Sequence, residues 1–417
     1  MMSRLMVLGS GGREHAIIWS LSRENRGHEL YCAPGNPGTA LLGANLPVDL
    51  SDAASVLALC REHNIDAVIV GPEAPLVNGL VDDLTAAGQS VLGPTKSAAR
   101  LEGSKLYARE FMAAAGIPHP RYHACHTIDE ARTAAEQEGL PVVLKADGLA
   151  AGKGVVIATT GAELEQALQR FYITRDFGAA GSSLSIEQCL TGTEMSIFAL
   201  CDGENYTVLG TAQDYKRAFD GDRGPNTGGM GAISPSPLAT PEMMNQIDAL
   251  VLKPTMAELK KRGIVYRGFL YIGVMLVKGI PYVIEYNVRL GDPETQVVLP
   301  LIDMPLSELV DSALAGQLPP AVALKPLSSI CVVMAVKGYP EGYKKGLPIT
   351  GFDDIIDGDT HLHAGTRMTG SGLVSAGGRV LNIIATGSSL SVARKQVYER
   401  IGAVKFPGSF YRTDIGI

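Results

Sequence analysis

The first hundred residues alternate short apolar strands with loops of glycine and proline, and this repetition limits the possible fold more than any other feature. Leu5 to Leu8 runs into Gly9-Ser10-Gly11-Gly12, after which Arg13-Glu14-His15-Ala16 opens an apolar helix. Glu29 to Ala33 ends in Pro34-Gly35-Asn36-Pro37-Gly38-Thr39, Ala67 to Val70 in Gly71-Pro72-Glu73, and Ser90 to Leu92 in Gly93-Pro94-Thr95. Strands alternating with helices predict a parallel sheet whose ligand site lies in the loops at the carboxyl ends of the strands. A glycine loop ahead of a helix N-terminus is an anion cradle, because backbone N–H groups and the helix dipole face one point. A nicotinamide-binding sheet would place an acidic residue at the end of its second strand, about 20 residues after the glycines. Pro34 to Thr39 stands there instead, so a phosphate-bearing small molecule is expected rather than a dinucleotide.

At 417 residues the chain exceeds one ordinary core and predicts roughly two to four domains. Acidic residues outnumber basic ones, 43 to 36, for a net charge of −7, which disfavours nucleic acid or an anionic membrane as partner. The longest apolar runs, such as Phe269 to Val277, fall far short of the roughly 20 residues that span a bilayer. The start, Met1-Met2-Ser3-Arg4 before Leu5 to Leu8, has too short an apolar segment for a secretory signal, so a cytoplasmic location is expected. Cysteines 32, 60, 125, 189, 201 and 331 include no Cys-x-x-Cys pair and read as reduced, mostly buried residues. His119, His123, Cys125 and His126 are metal-ligand types at close spacing, but they fit no tetrahedral pattern.

Further along, Glu102-Gly103-Ser104-Lys105 enters a helix through Phe111 and Met112 that Gly116-Ile117-Pro118 closes. Lys105 sits in the first turn, where the dipole does not favour a cation, so it is either a surface lysine or the partner of an external anion. Leu140 to Ile157 reads as two short strands joined by Gly148, Gly152, Lys153 and Gly154, with Lys145 ending the first strand. Such a hairpin can fold over a triphosphate, presenting backbone N–H groups and Lys153 as a point charge. It is not a Walker loop, since no Gly-Lys-Ser/Thr opens a helix.

Ile280 to Asn287 alternates as a strand and puts Glu285 and Asn287 on one face. That face is either the wet side of an edge strand or a magnesium site, since Mg²⁺ takes hard oxygen ligands and keeps several waters beside nucleotide phosphates. Arg289, Asp292 and Glu294 follow in a turn marked by Gly291 and Pro293. Residues 220 to 237, dense in glycine and proline, read as a long irregular substrate loop. After Pro326 a last αβ module is expected, with strands at Ile330 to Val336 and Arg379 to Ala385 and a helix at Leu390 to Ile401.

The order Lys145, glycine hairpin, Glu187 to Glu194, then Glu285 and Asn287 resembles the ATP-grasp ligases. The whole chain is similar to their glycinamide ribonucleotide synthetase (phosphoribosylamine–glycine ligase) family. The match runs from Gly9 to Ala16 through Gly71-Pro72-Glu73, Lys145 to Gly154, Asp214-Tyr215-Lys216-Arg217 and Pro225 to Gly231 to Arg289 to Gln296. The resemblance implies an α/β ATP-grasp fold with an N-terminal parallel α/β domain (pre-ATP-grasp) and a C-terminal α/β cap domain. The implied divisions are an N-terminal substrate-phosphate domain at 1–103, a central ATP-grasp domain at 104–121 and 193–326, a lid at 122–192 and a C-terminal domain at 327–417. It further implies that Lys105, Lys145, Gly148, Gly152, Lys153 and Gly154 hold ATP phosphates, and that Glu187 and Leu190 border the adenine. Glu194 would take the ribose, Glu285 and Asn287 would bind Mg²⁺ or Mn²⁺, and Gly11, Gly12, Arg13, Glu14, Glu73, Asp214 and Lys216 would hold substrates. Arg289 and Asp292 would be catalytic, with Arg289 either steadying the transferring phosphoryl group or simply pairing with Asp292. Phe269 to Val277 departs from the wider ATP-grasp pattern by offering Met275, not a carboxylate, to the metal face.

What this implies is ligation of glycine to 5-phosphoribosylamine through glycyl phosphate, by a monomer or weak dimer without nucleic-acid or membrane partners. Another ATP-grasp carboxylate–amine ligase, or a biotin carboxylase-like enzyme, would share much of the pattern. A nicotinamide oxidoreductase would account only for residues 5 to 20, and a nucleotide sensor for the glycine hairpin but not for Glu285 and Asn287.

Overall fold

A computed structural model describes residues 3–150, 154–351 and 361–417. The opening alternation forms a five-stranded sheet from β1 (Arg4–Gly9), β2 (Glu29–Pro34), β3 (Ala44–Asn45), β4 (Ala67–Val70) and β5 (Val91–Leu92). Its order is β3-β2-β1-β4-β5 and every pair is parallel, with Leu5 opposite both Leu30 and Ala67. Helices cover both faces, which is why the inner strands are continuous apolar runs rather than alternating ones. The strand order reverses at β1, so a crevice opens beyond the carboxyl ends of β1 and β4, where Gly9–Gly12 and Gly71–Glu73 lie.

A second sheet is antiparallel, in the order β6-β9-β7-β8: β6 is Tyr122–Cys125, β7 Val142–Ala146, β8 Val155–Ala158 and β9 Leu184–Gln188. The helix Lys105–Ala115 leads into it. Ser104 accepts from the Tyr107 N–H at the start of that helix, and Gly116 closes it at φ +67°, a left-handed turn that suits glycine.

The largest sheet begins with β10 (Thr193–Gly203), β11 (Tyr206–Asp214), β14 (Gly231–Ser234), β15 (Tyr266–Val277) and β16 (Ile280–Asn287). It continues through β17 (Ser328–Val336), β18 (His361–His363) and β21 (Arg379–Gly387) in the order β16-β15-β10-β11-β14-β17-β21-β18, and β22 (Ser409–Phe410) pairs with β17. Two small hairpins lie outside it, β12 (Arg217–Phe219) with β13 (Arg223–Asn226) and β19 (Thr366–Thr369) with β20 (Gly372–Ser375). Lys278 and Gly279 turn β15 into β16 with φ of +50° and +81°, as a two-residue hairpin requires.

The expectation of an irregular 220–237 segment is corrected here, because β13 and β14 both fall inside it. Glycine and proline density hid a buried strand: β14 joins β11 to β17, with Ala232 opposite both Asp214 and Cys331. Gly231 is needed for that join, since a Cβ there would lie 2.7 Å from the Cys331 carbonyl oxygen. The strands after residue 327 thus extend the sheet that carries Glu285, so the segment boundary near 326 is not a sheet boundary. All six cysteines are free thiols, five of them buried.

The C-terminal strands also grip the first helix, Gly12–Ser22. The His363 N–H donates to His15 Nδ1 at 2.7 Å, and Asn36 Nδ2 donates to the carbonyls of Ser10 and His363 at 2.9 and 3.1 Å. Burial first, then the neighbouring His363 ring, holds His15 down at about 3, and burial holds His363 at about 4. Both imidazoles are neutral in the folded protein, whereas the unfolded chain protonates them below about pH 6.5. Stability contributed by each is therefore complete above that pH and falls as pH drops toward the folded values, by about 2 kcal/mol at pH 5. His15→Asn, which keeps an acceptor for the His363 N–H but cannot be protonated, is expected to flatten the loss of thermal midpoint between about pH 6.5 and 4. Thermal melts across that range check it.

Candidate active site

The crevice of the parallel sheet meets the end of β16, where Arg289 bonds Glu73 and Glu102. Glu285 and Asn287 project from one face of β16, opposite Gly273 and Tyr271 of β15. Gly273 stands opposite Glu285 because the register shifts at Gly273/Val274, and Met275, two residues further along β15, stands opposite Tyr282 and Glu194. A Cβ on Gly273 would already sit 3.0 Å from Glu285 Cγ, so the glycine leaves the carboxylate its space.

Burial raises the Glu285 carboxyl, but Lys216, Lys145, Lys105 and Arg289 outweigh it and hold the group below the ordinary glutamate value. A carboxylate kept ionised beside an amide oxygen is a hard, two-oxygen donor set that fits Mg²⁺ retaining waters and phosphate ligands. Lys216 Nζ contacts Glu194 Oε2 at 2.7 Å and lies 3.7 Å from Glu285 Oε1 and 3.9 Å from Asp214 Oδ2. Burial raises Asp214 and Glu294, the latter also through the charge of Asp214.

Lys145 reaches the same floor from the small antiparallel sheet, bonding Glu187 Oε2 at 3.0 Å and the Ile284 carbonyl at 3.1 Å. Glu187, expected at the adenine, has its carboxylate enclosed instead. Arg109 donates to it twice, from Nε at 2.9 Å and Nη2 at 2.7 Å, and also to the carbonyls of Val283 and Ile284 at 3.0 and 2.7 Å. Burial would raise Glu187, but Lys145 and Arg109 lower it to about 2. Arg109 escaped the sequence reading. The available signal was its position four residues after Lys105, on the same face of one helix. Lys105 follows the Ser104 cap, and its charge is among those acting on Glu285. Gly148 has φ +147° and lies against Ala180, and Gly154 accepts from the Ala146 N–H at 2.8 Å. Gly152 and Lys153 lie outside the described residues. Leu190 is half-buried in the link between β9 and β10.

Arg289 and Asp292 do not pair with each other among the described contacts; each has its own partners. Arg289 is braced by Glu102 at 2.8 Å, Glu73 at 3.2 Å, Asn287 Oδ1 at 3.2 Å and the Leu290 carbonyl at 3.2 Å. Asp292 instead accepts from Gln296 Nε2 at 2.9 Å and, at 3.4 Å, from the Arg13 N–H. Arg379 anchors that turn, with Nη1 2.6 Å from the carbonyls of Asp292 and Gly228. At the glycine loop, Glu14 accepts from the Gly11 N–H and from Arg13 Nε, both at 2.6 Å. Gly9 and Gly71 make room for it: a Cβ on either would lie within 2.5 Å of its side chain. Gly12 abuts Asn382 and Gln296, at 2.0 and 2.7 Å from a Cβ placed there. Two loop donors thus already serve carboxylates, so the cradle is less anionophilic than its sequence implied. Glu102, Arg379 and Asn382 were not legible as site residues, since Glu102 comes from the helix Lys96–Gly103 and the other two from β21, far along the chain. His119, His123 and His126 diverge to the Ile117 carbonyl, Glu138 and Ser183 respectively.

Three successive domain families match this chain: the phosphoribosylglycinamide synthetase N domain at residues 3–102, its ATP-grasp (A) domain at 103–295 and its C domain at 329–417. The chain belongs to the phosphoribosylglycinamide synthetase family. The phosphoribosylamine–glycine ligase of Mesorhizobium japonicum is 44% identical over 99% of this chain and 97% of its own length. That of Chlorobaculum tepidum is 43% identical over 99% of both. The crystal structure of the Thermotoga maritima phosphoribosylamine–glycine ligase superposes with a TM-score of 0.86, at 36% identity and 99% coverage of both chains. The biotin carboxylase domain of Hydrogenobacter thermophilus 2-oxoglutarate carboxylase, at 18% identity and a TM-score of 0.71, shares the fold alone. ATP-grasp proteins as a class bind ATP with a divalent metal. Among the described residues of this family member, no helix is long and apolar enough to cross a membrane.

Removing Arg109 would leave Glu187 buried with one partner fewer and would unbolt β9 from β16. Arg109→Met is expected to cost about 3–5 kcal/mol of stability, the range for breaking one side of a buried ion pair. Arg109→Lys should recover little of it, because an ammonium cannot reproduce the two-pronged contact. Denaturant midpoints of the three proteins decide this.

Proposed function

We propose that this chain joins glycine to 5-phosphoribosylamine with hydrolysis of ATP to ADP and phosphate, producing glycinamide ribonucleotide in purine synthesis. The observation that carries the reading is the end-to-end match to the three domains of one family, whose relatives of this length bear the name of that ligase. The biotin carboxylase likeness is one of fold and gives no comparable support.

In this reading ATP lies between the β6–β9 sheet and the floor. Lys105, Lys145, Gly148 and Gly154 hold its phosphates, the Leu190 link borders the adenine and Glu194 takes the ribose. Glu187 is assigned a positioning role, holding Lys145, because its own oxygens are engaged by Arg109 and Lys145. Glu285 and Asn287 hold Mg²⁺ or Mn²⁺, which when bound neutralises charge that accumulates on the phosphates. The chemical difficulty is that a carboxylate is a poor acceptor for an amine, so one of its oxygens must first become a leaving group. Glycine's carboxylate attacks the γ-phosphorus in line, giving glycyl phosphate and ADP. The lysines and Arg289 steady the transferring charge. The ribosylamine nitrogen then attacks the acyl carbon and phosphate departs. Asp292, Glu14, Glu73 and the Gly11–Gly12 loop are on the ribosylamine side, with Asp214 and Lys216 between the two ends.

Glycine carrying ¹⁸O in its carboxylate tests the route. One labelled oxygen per turnover should appear in the released phosphate, read by mass spectrometry. Unlabelled phosphate, or ADP release that ignores glycine, would remove the acyl-phosphate mechanism and the ligase assignment with it.

The glycine loop gives a separate expectation. A Cβ at Gly11 would lie 2.9 Å from Glu14 Oε2 and 3.5 Å from Asp292 Oδ2, so a valine there crowds the ribosylamine end only. Gly11→Val is expected to raise KM for phosphoribosylamine by about tenfold or more and KM for ATP much less. A larger effect on ATP in steady-state kinetics would exchange the two sites.

A further inference from the structure

Lys216 sits where three carboxylates of different strands converge. Glu194 comes from β10, Asp214 from the end of β11 and Glu285 from β16, and one ammonium lies within 4 Å of all three at 2.7, 3.9 and 3.7 Å. A part-buried cluster of three acids repels itself unless a cation occupies it. The backbone of this lysine is pinned, since its carbonyl accepts from both the N–H and the hydroxyl of Thr227 at 2.8 Å. Only the four-carbon stem is free to re-aim the charge. Lys145, by contrast, is bonded to Glu187 and the Ile284 carbonyl and has no described contact with Glu194 or Asp214.

Glu285 therefore has a resident cation at the place a divalent ion needs. An ammonium and a divalent cation cannot both sit a few ångströms from one carboxylate without strong mutual repulsion. Resting on the assignment of Glu285 and Asn287 as metal ligands, we propose that Lys216 is a built-in counter-ion of the metal site, which a divalent cation must displace from Glu285. The metal then binds weakly on its own and firmly only when nucleotide phosphates add their negative charge, so metal and nucleotide arrive together. After displacement the ammonium remains tethered by Glu194 and Asp214. The Thr227 contact keeps its base on the segment that leads into β14.

The test is Mn²⁺ binding to the nucleotide-free protein, followed by electron paramagnetic resonance of the unbound ion. Lys216→Met and Lys216→Gln are each expected to bind Mn²⁺ about tenfold or more tightly than the wild type. Two neutral variants are used because either alone could disturb folding, which circular dichroism monitors. Lys216→Arg keeps the charge and is expected to stay within about twofold of the wild type. Unchanged Mn²⁺ affinity in both neutral variants overturns the proposal, as does an equal gain in Lys216→Arg. Glu285→Gln separates this from the underlying reading: if it weakens Mn²⁺ binding in the presence of ATP while the Lys216 variants gain nothing, the metal site stands and only the counter-ion role fails. If Glu285→Gln changes nothing with ATP present, the metal assignment itself falls.

Discussion

Arg109 is the contact on which the geometry of the cleft depends. It is 2% exposed and lies between two sheets, giving two hydrogen bonds to Glu187 of one and two to backbone carbonyls of the other. A buried guanidinium pays a large desolvation cost, and only a full set of acceptors offsets it. Four acceptors are present, and the fork geometry of arginine lets one side chain serve them all at once. Because Lys145 shares Glu187, its ammonium is placed against the floor by the same contact. The position of the Lys145 ammonium is thus set by a residue with no described contact to the side chains of Glu285 or Asn287.

The cleft that results is electrostatically divided. Around Glu285 the cations dominate, which keeps that carboxylate ionised despite burial. Around Asp214 and Glu294 the acids repel each other and burial prevails, so both carboxyls are pushed upward. The turn from Arg289 to Glu294 adjoins both zones: Glu102 and Glu73 hold Arg289, the Arg13 N–H and Arg379 hold Asp292, and Arg13 links the two by lying 3.8 Å from Glu73 and donating to the Leu290 carbonyl.

Much of this could be read from the residues alone. The period-two pattern of 280–287 placed Glu285 and Asn287 on one face, and the repeated strand–glycine units gave the parallel sheet, because both signals are local. What failed was non-local. Strand β14 has no alternation to reveal it. It is buried on all sides by β11 and β17, partners about twenty residues before it and a hundred after it, and glycine there serves close packing rather than a turn. From the last quarter of the chain Asn382 reaches Gly12 and Arg379 reaches the Asp292 turn, and Glu102 lies near the end of a helix whose sequence announces only its cap. The alternative of an Arg289–Asp292 pair rested on closeness in sequence, and the described contacts give the two residues different partners.

The distribution of sheets also constrains how the molecule can rearrange during a cycle. The floor strands and the C-terminal strands belong to one ladder through β14, so separating them would break backbone hydrogen bonds along β11 and β17. The parallel sheet and the β6–β9 sheet are separate ladders, joined to the floor by side chains such as Arg109, Arg13, Arg289 and Asp292. Displacement at those two seams exchanges ion pairs and hydrogen bonds for contacts with solvent or ligand, each worth far less than an unpaired run of buried backbone. Lys145 and Arg109 lie at one seam and the Gly9–Gly12 loop at the other, and both meet the segment from Ile284 to Gln296. On the site assignment proposed above, activation of a carboxylate at one seam and attack by an amine from the other share a rigid centre, while either seam adjusts to its own ligand.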